Sequence, residues 1–155
     1  MRVIKYHSIA TVFSEVPDEF SLVISIVGCP GTCKGCHSPF LRRYDGIDLD
    51  LTELTRLLNI YAPYVTTICF LGGDWEPSLI NALKFIKDSY ELKICLYSGK
   101  NFISYDILKY LDYVKLGPYD YTLGDLKMKN TNQKFYSVKN GNLNKDLTYK
   151  FKRFN

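Results

Sequence analysis

Apolar and polar positions along the chain switch between two periods. Ser21-Leu22-Val23-Ile24-Ser25-Ile26-Val27, Val65-Thr66-Thr67-Ile68-Cys69-Phe70-Leu71, Leu92 to Tyr97 and Tyr113 to Leu116 are short apolar runs. Each is broken by a glycine, so the pattern predicts four buried strands. Between them the period becomes helical. Asp50, with Glu53 three positions on, forms a capping box, and Leu51, Leu54, Leu57, Leu58 and Tyr61 share one face until Pro63. Pro77 opens a second helix with Leu79, Leu83 and Ile86 as its inward stripe, and a short third helix is expected from Tyr105 to Leu111. Strands followed by helices at this spacing predict parallel βαβ units. Four units fall short of a closed eight-stranded barrel, which needs about 200 residues or more. The expected fold is therefore α/β, a partial (half) β/α barrel of parallel strands.

Two segments lie outside the repeat. Residues 1–20 read as a short N-terminal β extension, with Val3-Ile4 and Thr11-Val12-Phe13 as strand candidates. Residues 119–155 are polar, rich in Asn and Lys, with one strand candidate from Lys134 to Val138. No repeat or linker divides the 155 residues, so one domain over 1–155 is expected. A composition 46% hydrophobic and 23% charged excludes a disordered tail, a collagen-like fibre and a disulfide miniprotein. A formal charge of +4 without a dense Lys/Arg cluster gives no case for direct nucleic-acid binding. No apolar run approaches the roughly 18 residues of a membrane helix, and Met1 to His7 lacks the features of a secretory signal. The expected location is the cytoplasm.

The cysteines change the picture. Of five, three fall within one short loop, Cys29, Cys33 and Cys36, directly after the first predicted strand. In a reducing compartment such spacing points to metal binding or redox chemistry rather than disulfides. In a parallel α/β layout, function gathers beyond the carboxyl ends of the strands. The loops there, Gly28 to Cys36, Gly72 to Pro77, Ser98-Gly99 and Gly117-Pro118, would meet at one rim. Three thiolates would hold an iron–sulfur cluster and leave one iron open to a small molecule.

The Cys-x3-Cys-x2-Cys spacing resembles the radical S-adenosylmethionine superfamily, whose cluster loop follows the first barrel strand. Gly72-Gly73-Asp74 resembles the family's Gly-Gly-Glu-type motif, with Asp in place of Glu. The finer resemblance is to the small activases of anaerobic ribonucleoside-triphosphate reductase. Gly35-Cys36-His37-Ser38-Pro39, Tyr97-Ser98-Gly99, Lys115-Leu116-Gly117-Pro118-Tyr119 and Thr131-Asn132-Gln133 carry it. Trp75 departs from the family pattern.

The resemblance implies a [4Fe-4S] cluster on Cys29, Cys33 and Cys36, which would also be the catalytic residues. It implies S-adenosylmethionine lined by Gly35, Cys36, His37, Gly72, Gly73, Asp74 and Ser98. It further implies an oxidoreductase that cleaves that cofactor and places a glycyl radical on a glycine loop of the reductase large subunit. An electron donor such as flavodoxin would serve it, and a homodimer is left open. Alternatives are an activase of another glycyl-radical enzyme, a small-molecule radical enzyme such as a deazaguanine synthase, or a non-catalytic iron–sulfur or zinc docking module. Cys69 and Cys95 sit inside apolar runs and are expected as buried small hydrophobes. Ser98 also reads as a turn cap, Asn132-Gln133 as a turn, and Arg42-Arg43 as a solvated pair. Lys115 alternates with Val114 and Leu116, so it points either into the mouth of the sheet or out to solvent.

Overall fold

The computed structural model describes residues 2–152. Positions 1 and 153–155, the outer ends of the expected N-terminal extension and polar C-terminal segment, lie outside the described residues. Eight strands form one sheet. They are β1 (Lys5–Val12), β2 (Ser21–Ile26), β3 (Ile47–Asp48), β4 (Thr67–Leu71), β5 (Lys93–Tyr97), β6 (Tyr113–Leu116), β7 (Lys134–Lys139) and β8 (Asn142–Asp146), in the order β3-β1-β2-β4-β5-β6-β7-β8.

The four strands predicted from apolar runs are β2, β4, β5 and β6, and they pair side by side in parallel. Helices α1 (Leu51–Tyr61), α2 (Leu79–Ser89) and α3 (Tyr105–Leu108) lie between these strands in sequence. The Asp50 carboxylate accepts the Glu53 N–H at 2.9 Å and caps α1, as the capping-box pattern implies. Helix α2 starts at Leu79 instead of Pro77, because residues 76–80 first form tight turns in which Leu79 N–H donates to Glu76 and Ile80 N–H to Pro77. Helix α3 ends at Leu108, short of the expected Leu111. Beyond it, Tyr110 and Leu111 N–H groups donate to the carbonyls three residues back, which tightens the chain.

Strand alternation divides the burial between two faces. Leu22, Ile24, Ile68, Phe70, Ile94, Leu96 and Val114 pack with Leu54, Leu57, Leu58, Leu83 and Ile86 of the helices in the larger core. Each such buried side chain stabilises the fold by roughly 1.5–3 kcal/mol relative to exposure. The opposite face carries Val23, Cys69, Cys95 and Phe135, which pack with Val16 and Leu126 from non-helical segments. Cys69 and Cys95 are register partners, both fully buried as expected, and burial pushes the Cys95 thiol up.

The expected half-barrel of parallel strands with a cluster loop is corrected. Only the central four strands are parallel. β1 pairs antiparallel with β2 and β3, and β7 pairs antiparallel with β6 and β8, so the sheet is mixed. Antiparallel neighbours need no crossover helix, and no helix stands between β1 and β2, β6 and β7, or β7 and β8 in the chain. β7 returns into β8 through Asn140-Gly141, both at positive φ (53° and 75°), as a two-residue hairpin turn requires. In the N-terminal extension, β1 takes in Thr11 and Val12 but leaves out Val3-Ile4 and Phe13.

Asp50→Ala removes the α1 cap and is expected to lower the unfolding free energy by about 1 kcal/mol. Urea titration checks it: the midpoint falls while the slope stays constant.

Candidate functional site

Because β2, β4, β5 and β6 run parallel, the loops that follow them open at one rim of the sheet. Ser25, Leu71, Tyr97, Lys115 and Phe135 are successive register partners across β2, β4, β5, β6 and β7. Partners in one row share a face, here the one without helices. Over the rim lies a cleft of about 470 Å³, bounded by Cys29, Cys33, Cys36 and His37 from the loop after β2, with Gly72, Trp75, Tyr97, Ser98, Lys115 and Gln133. A neighbouring hollow of about 600 Å³ shares Cys29, Cys33 and Trp75 and adds Asp74 and Lys100. These volumes are in the range of small-molecule sites.

Lys115 is the unusual wall residue. Only 8% exposed, it donates from Nζ to the Gly117 carbonyl at 3.0 Å, and its Nζ lies 5.7 Å from the centre of the Tyr97 ring. Gln133 Nε2 donates to the same carbonyl at 3.5 Å. No carboxylate among the described residues lies within ion-pair distance of the ammonium. Burial lowers its pKa to about 8, against the opposing pull of Cys33, Asp74 and Cys95. Sequence alternation left its direction open; the structure turns it into the cleft wall.

Asp74 is also withdrawn from water, with a side chain 2% exposed. Its Oδ2 lies 3.4 Å from Lys100 Nζ, while Oδ1 and the neighbouring Trp75 Nε1 have no hydrogen-bond partner. Gly72 holds φ at +88°, and a Cβ there would stand 2.5 Å from the Trp75 ring, so only glycine fits beneath the indole. The Tyr97 hydroxyl donates to the Glu15 carbonyl, and burial raises both the Tyr97 phenol and the Glu15 carboxyl.

The structure brings Cys29, Cys33, Cys36, His37, Gly72 and Ser98 to the main cleft and Asp74 to the adjoining hollow. Gly35 and Gly73 line neither space. Ser98 keeps the alternative role foreseen for it, since its hydroxyl accepts the Lys100 N–H at 3.0 Å and caps the turn. His37 is exposed and rests against Tyr119, with ring centroids 4.9 Å apart. Asn132 Nδ2 donates to the Pro118 carbonyl, tying the late Thr131-Asn132-Gln133 segment to the end of β6. Trp75 and Tyr97 lie outside the site set that the sequence implies, while Lys115 and Gln133 are ambiguous there. A charged position inside an apolar strand was the available signal for Lys115.

Sharing a cleft is a weaker condition than converging on one ion. Among the described residues, no group of three or more His, Cys, Asp or Glu side chains is placed so that it could hold a metal ion. Two of the three thiols are engaged within their own turns: Cys29 Sγ accepts the Gly31 N–H and Cys36 Sγ the Ser38 N–H, each at 3.4 Å. The expected [4Fe-4S] cluster on Cys29, Cys33 and Cys36 is thereby corrected. The same finding overturns the radical S-adenosylmethionine resemblance, its cofactor pair, the glycyl-radical activase and oxidoreductase activity with its radical-enzyme alternatives, and the metal-binding docking module. Among the described residues, no helix is long and apolar enough to cross a membrane.

Comparison with family models, curated proteins and solved structures finds no match for the chain. The residues themselves therefore carry the functional reading, and Lys115 supplies a direct check of the geometry. Its folded pKa of about 8 lies below the ordinary lysine value of 10.5, so the unfolded chain binds the extra proton between those pH values. Stability arising from this group is lowest below pH 8 and recovers as pH rises towards 10.5. Lys115→Met is expected to gain stability relative to the parent at pH 7, and to lose about 2 kcal/mol of that advantage by pH 10. Chemical denaturation of both proteins at the two pH values measures the difference.

Proposed function

We propose that the chain binds a small organic molecule in the rim cleft, with Lys115 as the polar anchor for a ligand oxygen. Cys29, Cys33, Cys36, His37, Gly72 and Ser98 line the ligand, and Asp74 borders it from the adjoining hollow. The observation that carries this reading is a buried ammonium without a carboxylate partner among the described residues, in the wall of a cleft of about 470 Å³. A buried charge without a partner is costly, and a ligand oxygen compensates the cost. Ile26, Leu41, Leu71 and Trp75 supply apolar wall around that point, the usual division of labour in a small-molecule site. The position supports it too, since open α/β sheets receive ligands beyond the carboxyl ends of their strands. Placement in a reducing compartment such as the cytoplasm belongs to the same proposal, because the three cleft thiols stay free there.

Ligand-observed NMR with a set of small carboxylates, phosphates and carbonyl compounds tests the reading. Binders are expected to slow alkylation of Cys33 and Cys36 by N-ethylmaleimide. They are also expected to bind Lys115→Met about tenfold or more weakly, since a hydrogen bond to a charged group contributes about 1.5–3 kcal/mol. Binding that neither protects the thiols nor depends on Lys115 would overturn it.

A further inference from the structure

Resting on that reading, we infer that Lys115 is a covalent anchor: its amine condenses reversibly with an aldehyde or ketone that enters the cleft, forming an imine.

Three features meet at this atom. Nζ donates a hydrogen bond to Gly117 O at 3.0 Å, and Gln133 Nε2 donates to the same carbonyl at 3.5 Å. A neutral amine keeping that bond retains a lone pair for a carbonyl carbon. The stem is held by β6, between β5 and β7, so the amine is presented on a strand instead of a mobile loop. Finally, no carboxylate among the described residues pairs with it and keeps it protonated. The depressed pKa of about 8 agrees with the geometry. At pH 7.5 it gives roughly two hundredfold more neutral amine than an ordinary lysine has. Burial in an apolar setting is a recognised way of activating a lysine for imine formation.

The step balances without any further reagent. The ammonium gives its proton to solvent, and the nitrogen lone pair forms a C–N bond as the carbonyl π bond opens onto its oxygen. One N–H proton of the adduct passes to that oxygen through solvent to give the carbinolamine, the second leaves with the oxygen as water to give the imine, and hydrolysis reverses the sequence. The substrate class is a small aldehyde or ketone with an apolar body, which the Trp75, Leu71 and Ile26 walls accommodate.

The experiment incubates the full chain at pH 7.5 with 4-carboxybenzaldehyde and sodium cyanoborohydride, which reduces an imine to a stable secondary amine. Peptide mass spectrometry then locates the adduct. N-ethylmaleimide protection of Cys33, measured in parallel without reductant, reports whether the probe occupies the cleft. The expected result is an adduct on Lys115 forming at least about tenfold faster than on any exposed lysine, with Cys33 protected. Adducts spread over surface lysines, with Lys115 no faster, overturn the imine. In that case protection of Cys33 leaves the binding cleft standing, and an unprotected Cys33 removes this probe's case for both. Mapping is done on the unsubstituted protein, so the outcome does not depend on a variant folding.

Discussion

The constraint on which the rest depends is that four central parallel strands must be buried on both faces. Parallel strands have no polar face to show to water, and β2, β4, β5 and β6 read as nearly continuous apolar runs. One face is covered by the helices of the crossovers. The other is covered by whatever remains: the segment after β1 with Val16, and the later chain with Leu126, Leu147 and Phe151. Because that second cover is irregular, it closes over Cys69, Cys95 and Phe135 but leaves an opening at the carboxyl ends of the strands. The cleft is a consequence of unequal covering.

That opening decides the chemistry of the row Leu71, Tyr97, Lys115. Towards the middle of the sheet the same face carries Val23, Cys69 and Cys95, which ask nothing of water. At the strand ends it carries a phenol whose hydroxyl reaches the Glu15 backbone, and an ammonium that donates to the Gly117 carbonyl. A lysine one residue pair deeper would be driven out of its charged form or out of the fold. At the rim it keeps its charge at a depressed pKa, which is the condition under which an amine is both a cation and a nucleophile near neutral pH.

Much of the scaffold was legible because local rules and global packing agree. Asp50 and Glu53 mark the start of α1, the apolar runs mark the four parallel strands, and Cys69 and Cys95 read as core. The antiparallel flanks were less legible. β8 (Asn142–Asp146) is exposed along its whole length and has no apolar alternation to betray it, and Asn140-Gly141 is the one hairpin signal the segment carries. At the site, spacing indicated the right loop and overreached on its chemistry. Three cysteines within one loop line one space, but spacing along the chain does not determine where sulfur atoms point, and local turns draw the Cys29 and Cys36 thiols towards backbone N–H groups. Lys115 was ambiguous for a related reason, since alternation gives a residue's face without saying whether that face is closed or open.

The central claim is that Lys115 is a buried amine, without a carboxylate partner among the described residues, in the wall of a ligand cleft, and its protonation is directly observable. An NMR titration of lysine side-chain Nζ resonances, with Lys115→Met used to assign the signal, measures the midpoint in the folded chain. The account predicts a midpoint near the value of about 8, well separated from the other lysines, and displaced when a cleft ligand binds. A midpoint at the ordinary lysine value, insensitive to ligand, would mean that the ammonium is fully solvated and would contradict the account.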